Sequence, residues 1–455
     1  MSDLAQAVVE PPTGAHERAS LSWRAETTAL LRLAGPLVVT QLAQMAVMTT
    51  DVLQLGRLST QALASAAIGN TVYYFAWLIG SGPAFAVAPV VAHLLGARPR
   101  DRAGVRAVAR MGLWASALVC VALWPIMLSA RIILLHLGQS PALASGAGRF
   151  VAALCWGLPF AIGFQVLRNL VAALGRPQAA LVVTLASIGW NALVGWALIF
   201  GHFGAPRLGL VGGGLATSSS AVFGFLALLA TIQLDPRLAP YRILRRAHRA
   251  HWPRLRELVR LGAPIALTLL FEAMLFNAMT LVVGTFGEVS VAAHQIALNF
   301  ASFTFMVPLG VGMAATVRVG RAAGAGDREG VRRAGLVAMG VAAACVCVSA
   351  LVMALAGREV AALYVPGRSA RDLQVIALAG GFLSVAAAFQ FFDALQVVGA
   401  LSLRGMKDAR MPMILAGVRY WLIGAPICIG LGVGLHMQGL ACGSSWRWGW
   451  PPPPR

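Results

Sequence analysis

LGAPIALTLLFEAMLFNAMTLVVGTFGEVSVAAHQIALNFASFTFMVPLGVGMAATVRVGRAAGAGD, Leu261 to Asp327, is the stretch that decides the fold. It holds two apolar runs, each long enough to cross a bilayer, and one acid, Glu272, inside the first. Moved back by 228 positions it finds its counterpart: Pro264 falls on Pro36, Gly284 on Gly56, Gly310 on Gly82, Gly324 on Gly96 and Ala325 on Ala97. The chain is a tandem repeat of apolar spans.

Composition agrees. Of the 455 residues 58% are hydrophobic and 11% charged, with a mean hydropathy of +0.76, too little polar surface to wrap a soluble globule of this size. The net charge of +20 is not a nucleic-acid footprint, because thirty-five of the thirty-six basic residues are Arg and they gather in short gaps between apolar runs, where they report topology. Cys120, Cys155, Cys345, Cys347 and Cys428 lie inside apolar runs and read as small buried hydrophobes rather than disulfides or metal ligands. The segment to about Ser22 is polar and offers no apolar core to a signal peptidase, so the first span itself must target the protein.

About 20 apolar residues are needed per spanning helix. Six stretches fit the first half, near 29–55, 62–95, 105–128, 150–174, 179–203 and 210–234, and five the second, near 258–286, 289–324, 331–356, 370–400 and 411–434. The second stretch is long enough to tilt or bend, with Gly80, Gly82, Pro83 and Pro89 as candidate break points. The organisation expected is a polar tail over 1–28, a first bundle over 29–234, an Arg-rich linker over 235–257 and a second bundle over 258–441. Residues 442–455 break the pattern: Gly439-Leu440-Ala441 begins a twelfth span as Gly214-Leu215-Ala216 begins the sixth, but CGSSWRWGWPPPPR follows, which cannot cross a bilayer as a helix. The expectation is a frameshifted or misassembled reading frame, about eleven spans, and weak or absent transport from this chain as written.

Orientation follows from Arg98, Arg100, Arg102, Arg106 and Arg110 after the second span, and Arg318, Arg321, Arg328, Arg332 and Arg333 around the end of the eighth. Even-numbered loops and the N-terminus are then cytoplasmic. The repeat unit holds an even number of spans, six in the first half, so the fold class is an all-α integral membrane protein of two six-helix-type bundles related by a pseudo-two-fold along the membrane normal, facing each other across a cavity.

Of sixteen acids, Asp51, Glu272 and Asp393 sit deep in apolar spans. Each costs about 2.5–3.5 kcal/mol at a helix centre, so each needs a partner, a cation or a proton. In the 228 register Glu272 falls on Gln44 and Asp393 on Gln165: acids in one half meet near-isosteric amides in the other. An amide cannot compensate a cation, which places the principal cation site, Na⁺ or H⁺, at Glu272 and Asp393 in the second half. Asp51 stands alone in the first.

The blocks AAHQIALNF, RVGRAAGAGD and FDALQVVGALSLRGMKDA (Phe392 to Ala409) resemble the multidrug and toxic compound extrusion (MATE) family, in its bacterial NorM-like branch, over roughly Leu31 to Leu440. The resemblance implies cation binding and drug extrusion by acids in spans one, seven and ten, here Asp51 in TTDVLQLG, Glu272 in LLFEAMLF and Asp393 in FFDALQVV. Asn191 also resembles a family position, but where a further Asn is often found one turn on, this chain has Gly195, which puts a complete ion site in the first bundle in doubt. Arg419, a fixed cation inside span eleven and opposite Asn191 in the register, either neutralises Asp393 or Glu272 or snorkels to an interface. His294 and Gln295 belong to the family block, with a hydrogen-bonded packing role expected of them.

The reading is a secondary antiporter of the bacterial cytoplasmic (inner) membrane, a monomer, exchanging Na⁺ or H⁺ for amphipathic, cationic drugs or dyes. It needs no cofactor: no GxxxxGK[ST] loop is present, and roughly 2.3 kcal/mol per charge per 100 mV is available from the membrane potential. The alternatives are a lipid-linked oligosaccharide flippase of related fold, whose cavity should be cationic, or an inactive truncated transporter. An intramembrane hydrolase fails for want of HExxH, GxSxG or paired catalytic acids.

Overall fold

The structure, a computed structural model, describes residues 22–245, 248–284, 287–365, 367, 369–424 and 426. These residues form fourteen α-helices: α1 (Trp23–Gly56), α2 (Thr60–Ala97), α3 (Arg102–Leu128), α4 (Ala130–His136), α5 (Pro141–Cys155), α6 (Leu158–Ala173), α7 (Pro177–Phe200), α8 (Leu210–Leu234), α9 (Trp252–Gly284), α10 (Glu288–Gly324), α11 (Arg328–Leu355), α12 (Gly357–Tyr364), α13 (Ala370–Gly405) and α14 (Arg410–Gly417), the last running into a π-helical turn, Val418–Gly424.

Local chemistry sets the helix starts. Ser22, Ser59, Asp101, Asp327 and Ser369 each accept, through the side chain, the N–H three residues on. The repeat is visible inside the helices too. Pro36 in α1 and Pro264 in α9 are each followed by a threonine, Thr40 and Thr268, whose hydroxyl donates to the proline carbonyl at 2.7 and 2.8 Å.

Three expectations change. Eleven spans are not found: among the described residues nine helices are long and apolar enough to cross a membrane, ten if α5 and α6, bent by 49°, count as one. The expected fourth span, 150–174, breaks at Trp156-Gly157, because a β-carbon at Gly157 would lie 2.6 Å from the Ser218 Cα of α8 and Pro159 opens a new helix there. Of the expected eleventh, 411–434, the described part is α14 and the π turn, and residues 442–455 lie outside the described residues. Secondly, α2 runs unbroken past Gly80, Gly82, Pro83 and Pro89; there the glycines admit close neighbours instead of breaking the helix. Thirdly, Cys345 and Cys347 are exposed on α11, where a small apolar side chain faces lipid as readily as core, while Cys120 and Cys155 are buried; all four are free thiols. The helix α9 also begins at Trp252, inside the stretch read as linker.

The two halves meet through α1 and α2 on one side and α9 and α10 on the other. At Gly82 an added β-carbon would lie 2.5 Å from the Gly262 carbonyl of α9 and 2.9 Å from the Ala266 Cβ. Gly310 of α10 is crossed by Val38 of α1, the residue that answers to Ala266 in the register. Nearer the helix ends, Gly96 packs on the Arg321 carbonyl and Gly324 on that of His93. Adding 228 to one contact gives the other. Polar groups tie the same end: Arg318 of α10 clasps Glu26 of α1, with Nε donating to Oε1 at 2.7 Å, and Arg321 donates to the Ala173 carbonyl at 2.6 Å. Arg106 donates to the Tyr241 carbonyl at 2.8 Å, Arg176 pairs with Asp235 at 2.7 Å and Lys407 with Glu257 at 2.7 Å.

Candidate functional site

In the second half, α9, α13 and the π turn bring the sequence-predicted groups together. Asp393 on α13 is 7% exposed, and Arg419 from the π turn donates to its Oδ1 at 3.4 Å. The other arm of Arg419 bonds the Gln396 Oε1, which also accepts from the Tyr420 hydroxyl at 3.4 Å. Two consecutive residues thus reach one acceptor at a widened turn, where hydrogen bonds reach five residues instead of four. The guanidinium lies 5.5 Å from the Phe389 ring and 5.3 Å from that of Tyr420. Arg419 therefore points at Asp393 and does not snorkel away.

Glu272 on α9 is half-buried. It feels the charges of Asp393, Arg404 and Arg419, and Tyr74 of α2 lies within its field from the other half. The local balance is two carboxylates against two guanidiniums. Arg404, one residue from the end of α13, lies beyond the expected span 370–400, where an Arg reads as a loop charge.

In the first half the sign is reversed. Arg168 of α6 is 3% exposed, and its Nη1 donates to Gln41 at 2.8 Å and Gln44 at 2.7 Å, both on α1. Gln44 and Gln165 are the amides that answer to Glu272 and Asp393, and Arg168 answers to Gln396. Gln165 is buried, its Nε2 without a hydrogen-bond partner among the described residues. A basic residue midway through the apolar stretch 150–174 was the signal for Arg168.

Asp51 lies apart, on the last turns of α1, where Thr217 of α8 donates to its Oδ2 at 3.0 Å. Fully buried Asn191 of α7 lies close enough to Asp51 to act on its charge, yet neither side-chain atom completes a hydrogen bond of good geometry. The room left by Gly195 is taken by the carboxamide of Gln54, whose Nε2 donates to the Ala192 carbonyl at 2.9 Å. Thr217 and Gln54 carry no charge, and nothing in their spacing marks them.

His294 and Gln295 are not brought to the acids. His294 of α10 packs edge-on against Phe382 of α13, ring centroids 6.2 Å apart. Its buried Nε2 has no hydrogen-bond partner among the described residues, and the cluster around Phe382 is apolar. Gln295 is exposed. No group of three or more His, Cys, Asp or Glu side chains placed to hold a metal occurs among the described residues.

The MatE family pattern matches residues 36–197 and again 264–429, two copies whose starts differ by the 228 residues of the internal repeat. The chain belongs to the MATE family. It is 41% identical over 426 residues to the probable multidrug resistance protein NorM of Mesorhizobium japonicum, covering 93% of this chain and 91% of the relative. It is 38% identical over 440 residues to that of Brucella suis, covering 93% of each. Among solved structures, the eukaryotic MATE transporter AtDTX14 matches with a TM-score of 0.80 over 92% of both chains at 22% identity. An outward-facing multidrug resistance MATE family transporter matches at 0.80 over 92% of this chain and 90% of the other, at 20% identity. At these identities the structures speak to fold: this MATE chain has the two-bundle architecture of the family. As a MATE protein it is a membrane transporter and not an enzyme.

Proposed function

We propose that the chain is a secondary active multidrug antiporter in which Na⁺ or H⁺ entering down its gradient displaces an amphipathic, cationic drug or dye outward. The observation that carries this reading is the pairing of a held acid with a released one. Asp393 is buried against Arg419, while the carboxylate of Glu272, on α9, has no hydrogen bond among the described residues and senses the same charges. Two carboxylates balanced by two guanidiniums can take one further cation only if a guanidinium yields or a drug leaves, and this competition is what antiport requires. Glu272, Asp393 and, for Na⁺, the Gln396 carbonyl offer hard oxygen donors; for H⁺, the acids suffice alone. Asp51 with Thr217 and Asn191 serves as an accessory site of the first half, and Gln44, Gln165 and Arg168 set its opposite polarity.

In this reading the bundles span 29–234 and 258–441, joined by the linker over 235–257. The register-related crossings Gly82 with Ala266, Gly310 with Val38, Gly96 with Arg321 and Gly324 with His93 support a pseudo-two-fold along the membrane normal. The closed end carries the Arg-rich loops, and by the positive-inside rule it faces the cytoplasm together with the N-terminus, in a bacterial inner membrane. Such a state is outward-facing, and the transporter works as a monomer.

Ethidium accumulation in cells expressing the chain, with Na⁺ and proton gradients imposed and collapsed separately, tests the reading. Gradient-dependent exclusion of the dye, however weak, is expected. Accumulation equal to that of cells without the protein under every gradient would remove it.

A further inference from the structure

A second buried cation stands between the acids and the closed end. Arg404 lies eleven residues beyond Asp393 on α13, about 16 Å along the helix axis at about 1.5 Å per residue. It is 8% exposed, and its Nε has no hydrogen-bond partner among the described residues. Its side chain borders a cavity of about 30 Å³ between the halves, room for about one water molecule. Phe85 and Met313 line this cavity, as do Ala88 and Thr316, and each pair is separated by 228 residues. The cavity therefore sits where the two halves meet as equals.

What breaks the equality is charge. Among the described residues no carboxylate lines the cavity, Ala172 of α6 is apolar, and Arg404 is its only ionised group. The acid that acts on Arg404 is Glu272. Beyond the cavity the helices seal: an added β-carbon at Gly320 would lie 3.0 Å from the Ala92 Cβ and 3.2 Å from the Gly405 carbonyl, and the crossings at Gly96 and Gly324 follow one turn on. A water-sized gap where the two halves meet is the weak point of such a seal, because close packing is interrupted there. A fixed guanidinium there repels cations, as an arginine or a helix dipole does in pores that exclude protons.

We propose that Arg404 is the cation barrier of the closed end. It keeps the coupling cation from passing through the protein unless a drug is exchanged. The inference rests on the antiport reading above, and its test separates the two.

Purified protein in liposomes is given a Na⁺ or proton gradient with no drug present, and cation entry is followed with an ion-sensitive dye. Arg404→Gln should raise the leak by about tenfold or more, since one charge even about 10 Å away is worth about that factor at an effective dielectric of about 20. Arg404→Lys, which keeps the charge, should stay near the wild-type leak. Ala172→Asp, which leaves Arg404 in place and neutralises it, should leak like Arg404→Gln and covers the case in which that variant does not fold. Glycerol permeation should be unchanged in all; equal leakage of glycerol and cation would make Arg404 a packing residue and overturn the barrier. Wild-type protein that exchanges ethidium normally beside an Arg404→Gln leak no greater than its own overturns the barrier alone. Absence of gradient-driven ethidium exchange in wild type overturns the antiport reading, and the barrier with it.

Discussion

Asp393 and Glu272 differ in how firmly each is held, and mutants should show it. Glu272→Gln and Asp393→Asn keep shape and lose charge; each is expected to reduce ethidium efflux by about tenfold or more, the scale of an intramembrane charge lost from its partners. Protein levels in the membrane should stay normal, because an amide is cheaper to bury than a carboxylate. Efflux assays normalised to membrane content decide this. Arg419 contributes the opposite sign. Its replacement by Ala frees Asp393 from a cation 3.4 Å away, so Na⁺ binding measured by titration calorimetry should tighten by about tenfold or more, since one charge at that distance is worth about that factor even at the dielectric of water. Equal affinity in both proteins would mean the pair does not compete with the coupling ion.

At the scale of helices, packing distance is the controlling variable. Gly82 lets α2 approach α9 until a β-carbon would sit 2.5 Å from a carbonyl, so Gly82→Ala must push the halves apart, at a cost of about 1–3 kcal/mol. Gly189 of α7 has nothing within 4 Å of the same position, and Gly189→Ala should be neutral or slightly stabilising. Melting in detergent compares them, and a lower melting temperature is expected only for the first. A second prediction concerns the end of α8, outside the span. The backbone N–H of Arg237, then the Arg176 side chain, hold the Asp235 carboxyl below its usual range. A depressed pKa gives stability that is present above the unfolded value and lost as pH falls through the folded one. The melting difference between wild type and Asp235→Asn should therefore be present at neutral pH, begin to shrink near about pH 4, where a free aspartate takes up its proton, and vanish only on further acidification through the lower folded value.

For the whole molecule, the contact between halves is the quantity that transport must break and remake. Glu26 and Arg318 join α1 to α10 with side chains only 6% and 18% exposed. Breaking a buried pair from one side strands the other charge, at a cost of about 3 kcal/mol. Glu26→Gln should shift the equilibrium toward a state open at this end, and the exchange Glu26→Arg with Arg318→Glu should restore closure. Spin-label distances between α1 and α10 check both; an unchanged distance in Glu26→Gln would leave the pair without a role in gating.

Most span positions, the tandem repeat and the place of the acids Asp51, Glu272 and Asp393 inside spans were legible in the sequence, because a bilayer penalises each polar residue where it stands, without reference to its neighbours. The place of Arg419 inside an apolar span called for an acid partner or for snorkelling, and only packing chose between them, since helix rotation at a π turn depends on what α13 presents. The bend at Gly157 and the continuity of α2 were undecidable for a like reason: the same glycine breaks a helix or admits a neighbour according to what lies across from it. Arg168 and Arg404 were visible as letters but not as groups of a site, because their meaning lies in contacts between helices far apart in the chain, and those contacts are made by the tertiary structure alone.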